Sequence, residues 1–322
     1  MKARLIMVLM VLGTTPAAAS AEEIDVAYGA YQRGYYIAAF REATRQIEEK
    51  SDTKSMTLLA ELYADGLGIA NDDKKAAEWY RIAASRGDRE AAFQLAMFKM
   101  TGRGGPADRP GGAKLLQQAA ELGHVLAAYD LALIYLEGQL LPQSVDRAVE
   151  LMRMAASSGS PEAQYALATF YKDGRGVPKD PIEAARLLGL AARAGNVDAQ
   201  VEYGIALFNG TGVAKSEEGA VEYLMKAAQR GSAPAQARLA LMYANGRGVK
   251  ADPIEAARWH LIARAGGDND PNLDAFVAAM KPADRAMAEN KAELWIARMA
   301  AAGPAPLPTA PAKSTKAQVI KP

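Results

Sequence analysis

Histidine, cysteine and serine build most catalytic and metal sites, and this chain offers few of them in useful arrangements. It contains two histidines, His124 and His260, and no cysteine. A metal site needs several ligands that converge, and nothing in the sequence has that spacing. We interpret His124 as a substitute helix cap and His260 as a partly buried ring. No serine stands in a nucleophile-elbow motif. The sequence predicts no catalytic residues, no metal site and no cofactor.

Glutamine and tyrosine recur in a pattern that favours binding over catalysis. Glutamine returns every 36 residues, and a tyrosine follows seven residues later in two of three copies, which puts both on one helix face. Tyrosine is common in binding hot spots, and glutamine can satisfy backbone amides. We hypothesise that a ladder of six residues holds an extended peptide or a glycan: Tyr135, Gln164, Tyr171, Gln200, Gln236 and Tyr243. The alternative is structural, with tyrosines packed on a glycine loop and glutamines capping polar edges.

The ladder belongs to a repeat of 36 residues marked by two glycine series. The first series is Gly66, Gly102, Gly138, Gly174, Gly210 and Gly246. The second is Gly87, Gly123, Gly159, Gly195, Gly231 and Gly267. Self-similarity at such a period indicates an array of stacked supersecondary units. Counted from Asp52 as position 1, the copies begin at Asp52, Asp88, His124, Ser160, Asn196 and Ser232.

Each copy is predicted to be helix A, a glycine loop, helix B and a tight turn. Five of the six first positions hold good N-cap residues for helix A, and the first glycine closes that helix. Helix B follows N-caps at Asp72, Asp108, Ser144, Asp180, Ser216 and Asp252. Two of these, Asp180 and Asp252, precede Pro and then Glu, which predicts capping boxes. The predicted fold is all-α: a right-handed α/α solenoid of about six helix-pair repeats with helical caps.

This pattern resembles the Sel-one-like repeats, relatives of the tetratricopeptide repeat with a longer loop between helices. Residues Gly174 to Pro181 (GRGVPKDP), followed by Glu183-Ala184-Ala185, match the loop and second helix of that family, and the resemblance covers 52–267. It implies a role in cell-envelope maintenance, exopolysaccharide control or signalling. Cysteine-rich relatives have been credited with β-lactam binding or hydrolysis, but this chain lacks their paired cysteines.

The two ends differ from the repeats in composition. Residues 1–21 combine Lys2 and Arg4, the apolar run Leu5 to Leu12 and small residues at Ala19 and Ala21, which predicts a signal peptide cleaved before Glu22. We expect an N-terminal helical cap over 22–51, the repeat solenoid over 52–267 and a C-terminal helical cap over 268–302. Residues 303–322 are rich in Pro, Ala and Lys, which predicts disorder.

Charge and hydropathy narrow the range of partners. The chain has 38 basic and 37 acidic residues, so a nucleic-acid-binding stripe is not expected. No segment after the signal is long and apolar enough to cross a bilayer. We predict a non-enzymatic periplasmic scaffold or adaptor that binds another envelope protein or a peptide segment. The alternatives are a peptidoglycan- or polysaccharide-binding protein and, at lower weight, a β-lactam hydrolase.

Overall fold

The computed structural model describes residues 26–302, and the regular elements in that range are all α-helices. The all-α class and the repeated helix pairs are therefore confirmed, whereas the handedness of the solenoid stays a prediction. The predicted signal peptide and the Pro/Ala/Lys tail lie outside the described residues. The chain divides into two compact units, Met1–Ala107 and Asp108–Pro322.

The first unit begins with two helices that precede the repeats and ends with helix A of the second copy. Its helices are α1 (Val26–Gln32), α2 (Tyr36–Lys50), α3 (Thr53–Asp65), α4 (Asp73–Ser85) and α5 (Arg89–Thr101). Small residues of α1 and α2, such as Ala27 and Ala39, pack with Leu58 and Leu62 of α3 in one buried cluster. The alanines let the helices approach closely, which gives these short elements the burial that they lack alone.

The second unit contains the remaining four and a half repeats and two further helices. Its helices are α6 (Arg109–Glu121), α7 (Val125–Glu137), α8 (Val145–Ser157), α9 (Pro161–Asp173), α10 (Pro181–Arg193), α11 (Val197–Asn209), α12 (Glu217–Gln229), α13 (Ala233–Asn245), α14 (Pro253–Ala265), α15 (Pro271–Ala278) and α16 (Pro282–Ala302). Helices α15 and α16 cover α14, where the ring of Trp295 packs edge-on against Trp259.

The starts of the A helices follow the predicted caps with one exception. Side chains at Asp52, Asp88, Ser160 and Asn196 each accept a hydrogen bond from the backbone N–H three residues later. His124 serves as a cap as well, because its Nδ1 accepts from the N–H of Ala127 at 3.1 Å. Ser232 makes no such side-chain bond. Its second helical residue is a proline, which removes one of the two N–H groups that a cap can use.

All six predicted N-caps of the B helices are confirmed. Of the two hydrogen bonds that define a capping box, only the one accepted by the N-cap side chain forms. Asp180 Oδ1 accepts from the N–H groups of Ile182 and Glu183, at 3.0 Å each. The backbone N–H of Asp180 donates to Tyr171 O instead of to Glu183. The Glu183 carboxylate is bound by Arg186, so the reciprocal bond of a capping box is absent at this site.

The two glycines of the loop have different tasks. The first closes helix A in the left-handed conformation, as predicted; at Gly174 the backbone has φ of 74°. The second lies against helix B of the preceding repeat. A Cβ on Gly212 would overlap the carbonyl oxygen of Pro181, at the start of α10. Glycine at this position lets consecutive repeats pack backbone to backbone.

Candidate functional site

The three glutamines of the predicted ladder are buried between helices. Exposure of Gln164, Gln200 and Gln236 is 7%, 5% and 2%. Each Nε2 donates to a carbonyl eight residues earlier, in the last turn of the preceding helix B: Gln164 to Ala156 at 3.2 Å, Gln200 to Ala192 at 3.1 Å and Gln236 to Ala228 at 3.0 Å. These amides therefore join each A helix to the repeat before it.

The side-chain oxygens of these glutamines form fewer hydrogen bonds than the side-chain nitrogens. Oε1 of Gln164 and Oε1 of Gln200 are buried and have no hydrogen-bond partner in the described part of the chain. A buried polar atom without a partner costs free energy, so the gain from each amide bond is partly offset.

The three tyrosines of the predicted ladder are half-buried and lie where helix A meets its loop. Their backbone carbonyls accept the N–H of the helix-B caps Ser144, Asp180 and Asp252, respectively. The hydroxyl of Tyr171 accepts from Arg153 Nη2 at 3.2 Å, on the preceding helix B. The structure thus places both rows of the ladder toward the B helices. The binding role of Tyr135, Gln164, Tyr171, Gln200, Gln236 and Tyr243 stays a prediction.

A second set of residues lies roughly opposite position 5 on the same A helices. Positions 3, 6 and 7 of a helix share one side, which on α7, α9 and α11 carries two tyrosines and four carboxylates and on α13 carries the exposed Arg238. We call this set the tyrosine–carboxylate face: Tyr129 and Asp130 on α7, Glu162 and Tyr165 on α9, and Asp198 and Glu202 on α11. Glu162 and Asp198 are exposed, and the other four are half-buried. Sequence reasoning missed these residues, although their positions recur at the same period of 36.

The electrostatics of this face show that neighbouring A helices share it. Burial raises the pKa of the Tyr129 hydroxyl, and the carboxylates of Glu162 and Asp130 raise it further. Burial likewise raises the pKa of Tyr165; the charges of Asp198 and Glu202 add to that rise, and Lys172 opposes it. A carboxylate of the following A helix therefore acts on each tyrosine.

Asp130 is the carboxylate of this face that is removed furthest from water. Burial raises its pKa to about 6, and the nearby His124 opposes that shift. Desolvation disfavours the charged form of an acid, and at Asp130 this effect outweighs the attraction of His124.

One lysine offsets part of the negative charge. Lys172 Nζ lies 3.1 Å from Glu202 Oε2, which pairs α9 with α11. Glu162 accepts only a weak bond from the Ser160 hydroxyl at 3.3 Å. Within residues 108–302, Asp130, Glu162 and Asp198 therefore present carboxylates that no lysine or arginine neutralises.

The first unit has carboxylates of a different kind. Burial raises the pKa of Glu61 on α3 to about 8, and the charges of Glu90, Asp65 and Asp88 contribute to that shift. These acids act on one another and on two tyrosines, since the charges of Glu61 and Asp65 add to the rise in the pKa of Tyr31 and of Tyr80 that burial causes. Tyr80 of the same unit is 2% exposed, and burial raises its pKa above its usual range.

The histidines have structural surroundings. His124 caps α7, as predicted. His260 is 1% exposed, more buried than the sequence indicates, and its Nε2 lies 2.8 Å from Asp274 Oδ1, so it joins α14 to α15. Across residues 26–302 no three His, Asp or Glu side chains are grouped closely enough to hold a metal ion. In the same range no helix has the length and apolar character needed to cross a membrane.

Comparison with known proteins places the repeats in a family. The model of the Sel1 repeat matches six consecutive segments of the chain: 53–88, 89–124, 125–160, 161–196, 197–232 and 233–268. Each segment begins one residue after the corresponding copy counted from Asp52, with the same period of 36. No curated protein matches the chain in sequence.

Two solved structures share the fold. A Sel1 repeat protein from Oxalobacter formigenes aligns with a TM-score of 0.60 and 24% identity, over 74% of this chain and 94% of that one. The protein c5321, a protective antigen of uropathogenic Escherichia coli with an SLR fold, aligns with a TM-score of 0.53 and 24% identity. That alignment covers 87% of this chain and 69% of c5321.

Proposed function

Since the chain belongs to the Sel1 repeat family, we propose that it is a non-catalytic periplasmic scaffold that binds another envelope protein or a peptide segment of one. Sel1 repeat proteins are generally scaffolds for protein–protein interaction, and their solenoid fold is typically non-catalytic. Export rests on the predicted signal at residues 1–21. Cell-envelope maintenance, exopolysaccharide regulation and signalling are the settings that we propose for this binding.

The tyrosine–carboxylate face is the observation that supports this proposal most. It spans three consecutive A helices and combines tyrosine rings with carboxylates, whereas the other side of those helices is buried in the repeat joints. Leu126 and Leu133 of α7, 36% and 37% exposed, add apolar surface beside Tyr129. Tyrosine with apolar neighbours and a polar rim is typical of protein interfaces.

Site-specific photo-crosslinking in intact cells tests the proposal. A photoreactive residue at Leu133, beside the face, should yield adducts with one or a few envelope proteins. The same residue at Gln229, exposed at the end of helix B in α12, is the matched control and should yield none. Cell fractionation of the same cultures measures export, which should require residues 1–21. Absence of adducts from position 133, or equal adducts from both positions, contradicts the scaffold role.

A polysaccharide is the competing ligand. Uncompensated carboxylates repel an anionic glycan, which is why we favour a protein partner. Incubation with purified cell-wall sacculi separates the two, because retention without any added protein indicates direct glycan binding and contradicts our proposal.

A further inference from the structure

We infer that the tyrosine–carboxylate face binds an extended segment of the partner that carries several lysines or arginines. The inference rests on the proposed scaffold function and names the chemistry of its partner. Three features of the face carry it: the sign of its charge, the position of the tyrosines and its extent over three A helices.

The charge of the face calls for a cation. Of its four carboxylates, Glu202 is paired with Lys172, and the other three have no lysine or arginine partner in the described chain. Asp130 is the most desolvated of these three, and the attraction of His124 does not offset its burial, so it gains the most when an ammonium or guanidinium group arrives. An acidic or neutral segment would leave that cost in place.

The tyrosines add specificity for a cation over a neutral polar group. Carboxylates of α7 and α9 flank Tyr129, and two carboxylates of α11 lie near Tyr165. A lysine or arginine that binds a ring face beside a carboxylate gains both a cation–π interaction with the ring and an ion pair with the carboxylate. The surface therefore offers one such combination on α7 and a second on α9, where Lys172 already offsets part of the negative charge.

The extent of the face favours an extended segment. Its residues lie on three successive A helices, each of which packs mainly against B helices and not against the next A helix. A polyproline II segment rises ~3.1 Å per residue against ~1.5 Å for an α-helix, so it spans the same distance with about half as many residues.

The test uses the mature chain and a fluorescent peptide of four Lys-Ala-Pro units, titrated by fluorescence anisotropy at low and at high salt. We expect saturable binding that weakens with salt, and no binding of the matched Glu-Ala-Pro peptide. Asp130→Asn combined with Glu162→Gln and Asp198→Asn should weaken binding about tenfold or more. Tyr129→Leu with Tyr165→Leu should weaken it about threefold to tenfold.

A second triple variant controls for net charge. Glu150→Gln, Glu218→Gln and Glu222→Gln remove three exposed carboxylates from B helices of the same unit, and binding should stay within about twofold of the parent. Circular dichroism melting checks that every variant is folded. Equal losses in the two triple variants, or no binding of the lysine peptide to the parent, overturn the inference.

The chain's own tail is the rival occupant, since 303–322 contains Lys313, Lys316 and Lys321 and no acidic residue. Removal of 303–322 should leave the affinity for the peptide unchanged, and a tenfold increase would make the tail the occupant. The scaffold role is judged separately by crosslinking from position 133. If those adducts persist in the Asp130/Glu162/Asp198 variant, the basic-segment inference fails and the scaffold role stands.

Discussion

On one side of the A helices in the second unit, Gln164, Gln200 and Gln236 are buried and donate to carbonyls of the preceding B helices. On the other side, Tyr129 and Tyr165 stand among carboxylates that have few partners. The first side holds one repeat to the next, whereas the second side lies outside the joints between repeats. Polar residues at equal spacing can therefore serve stability or binding, depending on which side of the helix meets its neighbour.

The joint between repeats also depends on the second loop glycine. Gly212 lies against the backbone at the start of α10, and Gly248 lies against the backbone of Glu217 at the start of α12. Both contacts involve backbone atoms, which cannot move aside as the end of a long side chain can. Disturbing the joint should therefore change stability, while disturbing the tyrosine–carboxylate face should change binding.

The largest effect is expected at the joint glycine. Gly212→Ala should lower the free energy of unfolding by about 3–5 kcal/mol, because the new Cβ overlaps Pro181 and the backbone has φ of 70°. Urea denaturation followed by circular dichroism measures it.

Gly159→Ala is the matched control for this change. That glycine also has positive φ, of 92°, but no atom lies within 4 Å of a Cβ placed there. Its loss should be limited to backbone strain, about 1–2 kcal/mol. Equal losses in the two variants would mean that close packing of the second loop glycine contributes nothing to the joint.

A smaller loss is expected from the glutamine row. Gln200→Ala should destabilise the protein by about 2–3 kcal/mol, since it leaves a cavity and removes the bond to Ala192. Gln200→Met keeps most of the volume and lacks the donor, so it separates packing from hydrogen bonding. Thermal melting measures both, and the affinity for the lysine peptide should stay unchanged. If a Gln200 variant melts like the parent but no longer binds the lysine peptide, the glutamine has a binding role instead.

Much of the repeat could be predicted because its signals are local. A cap such as Asp180 acts on N–H groups two and three residues away, and the left-handed glycine at Gly174 acts within one turn. Seven-residue spacing also places Gln164 and Tyr171 on one side of their helix. What spacing cannot reveal is which side meets the preceding repeat. Glutamine is usually exposed, so the row at position 5 resembled a ligand ladder, and its carbonyl partners became visible only in three dimensions.

The tyrosine–carboxylate face was hidden for the opposite reason. Tyr129 and Tyr165 occupy the same repeat position, but Val201 follows them on α11, so no ladder of identical residues marks the row. The carboxylates change position as well, from 7 at Asp130 to 3 at Glu162. Their common surface arises from helix stacking, which brings the acids of one repeat to the tyrosine of another.

The smallest of the three effects has the opposite sign and belongs to the face. Asp130 has a pKa of about 6 in the folded chain because it is buried, against ~3.9 when unfolded. The folded state holds the extra proton between these values, so the contribution of Asp130 to stability is present below pH ~4 and is lost as pH rises through about 6. Asp130→Asn should therefore be more stable than the parent by about 1–2 kcal/mol at pH 8, with the difference fading at pH 4.

Asp198→Asn is the control, because this carboxylate on the same face is exposed, and its effect should stay below about 0.5 kcal/mol at either pH. Urea denaturation at the two pH values measures both variants. If Asp130→Asn destabilises the protein at pH 8, the carboxylate already has a stabilising partner within the fold. The carboxylate would then have a partner within the fold, as the glutamines of the joint do. The difference between the two sides of the A helices would disappear.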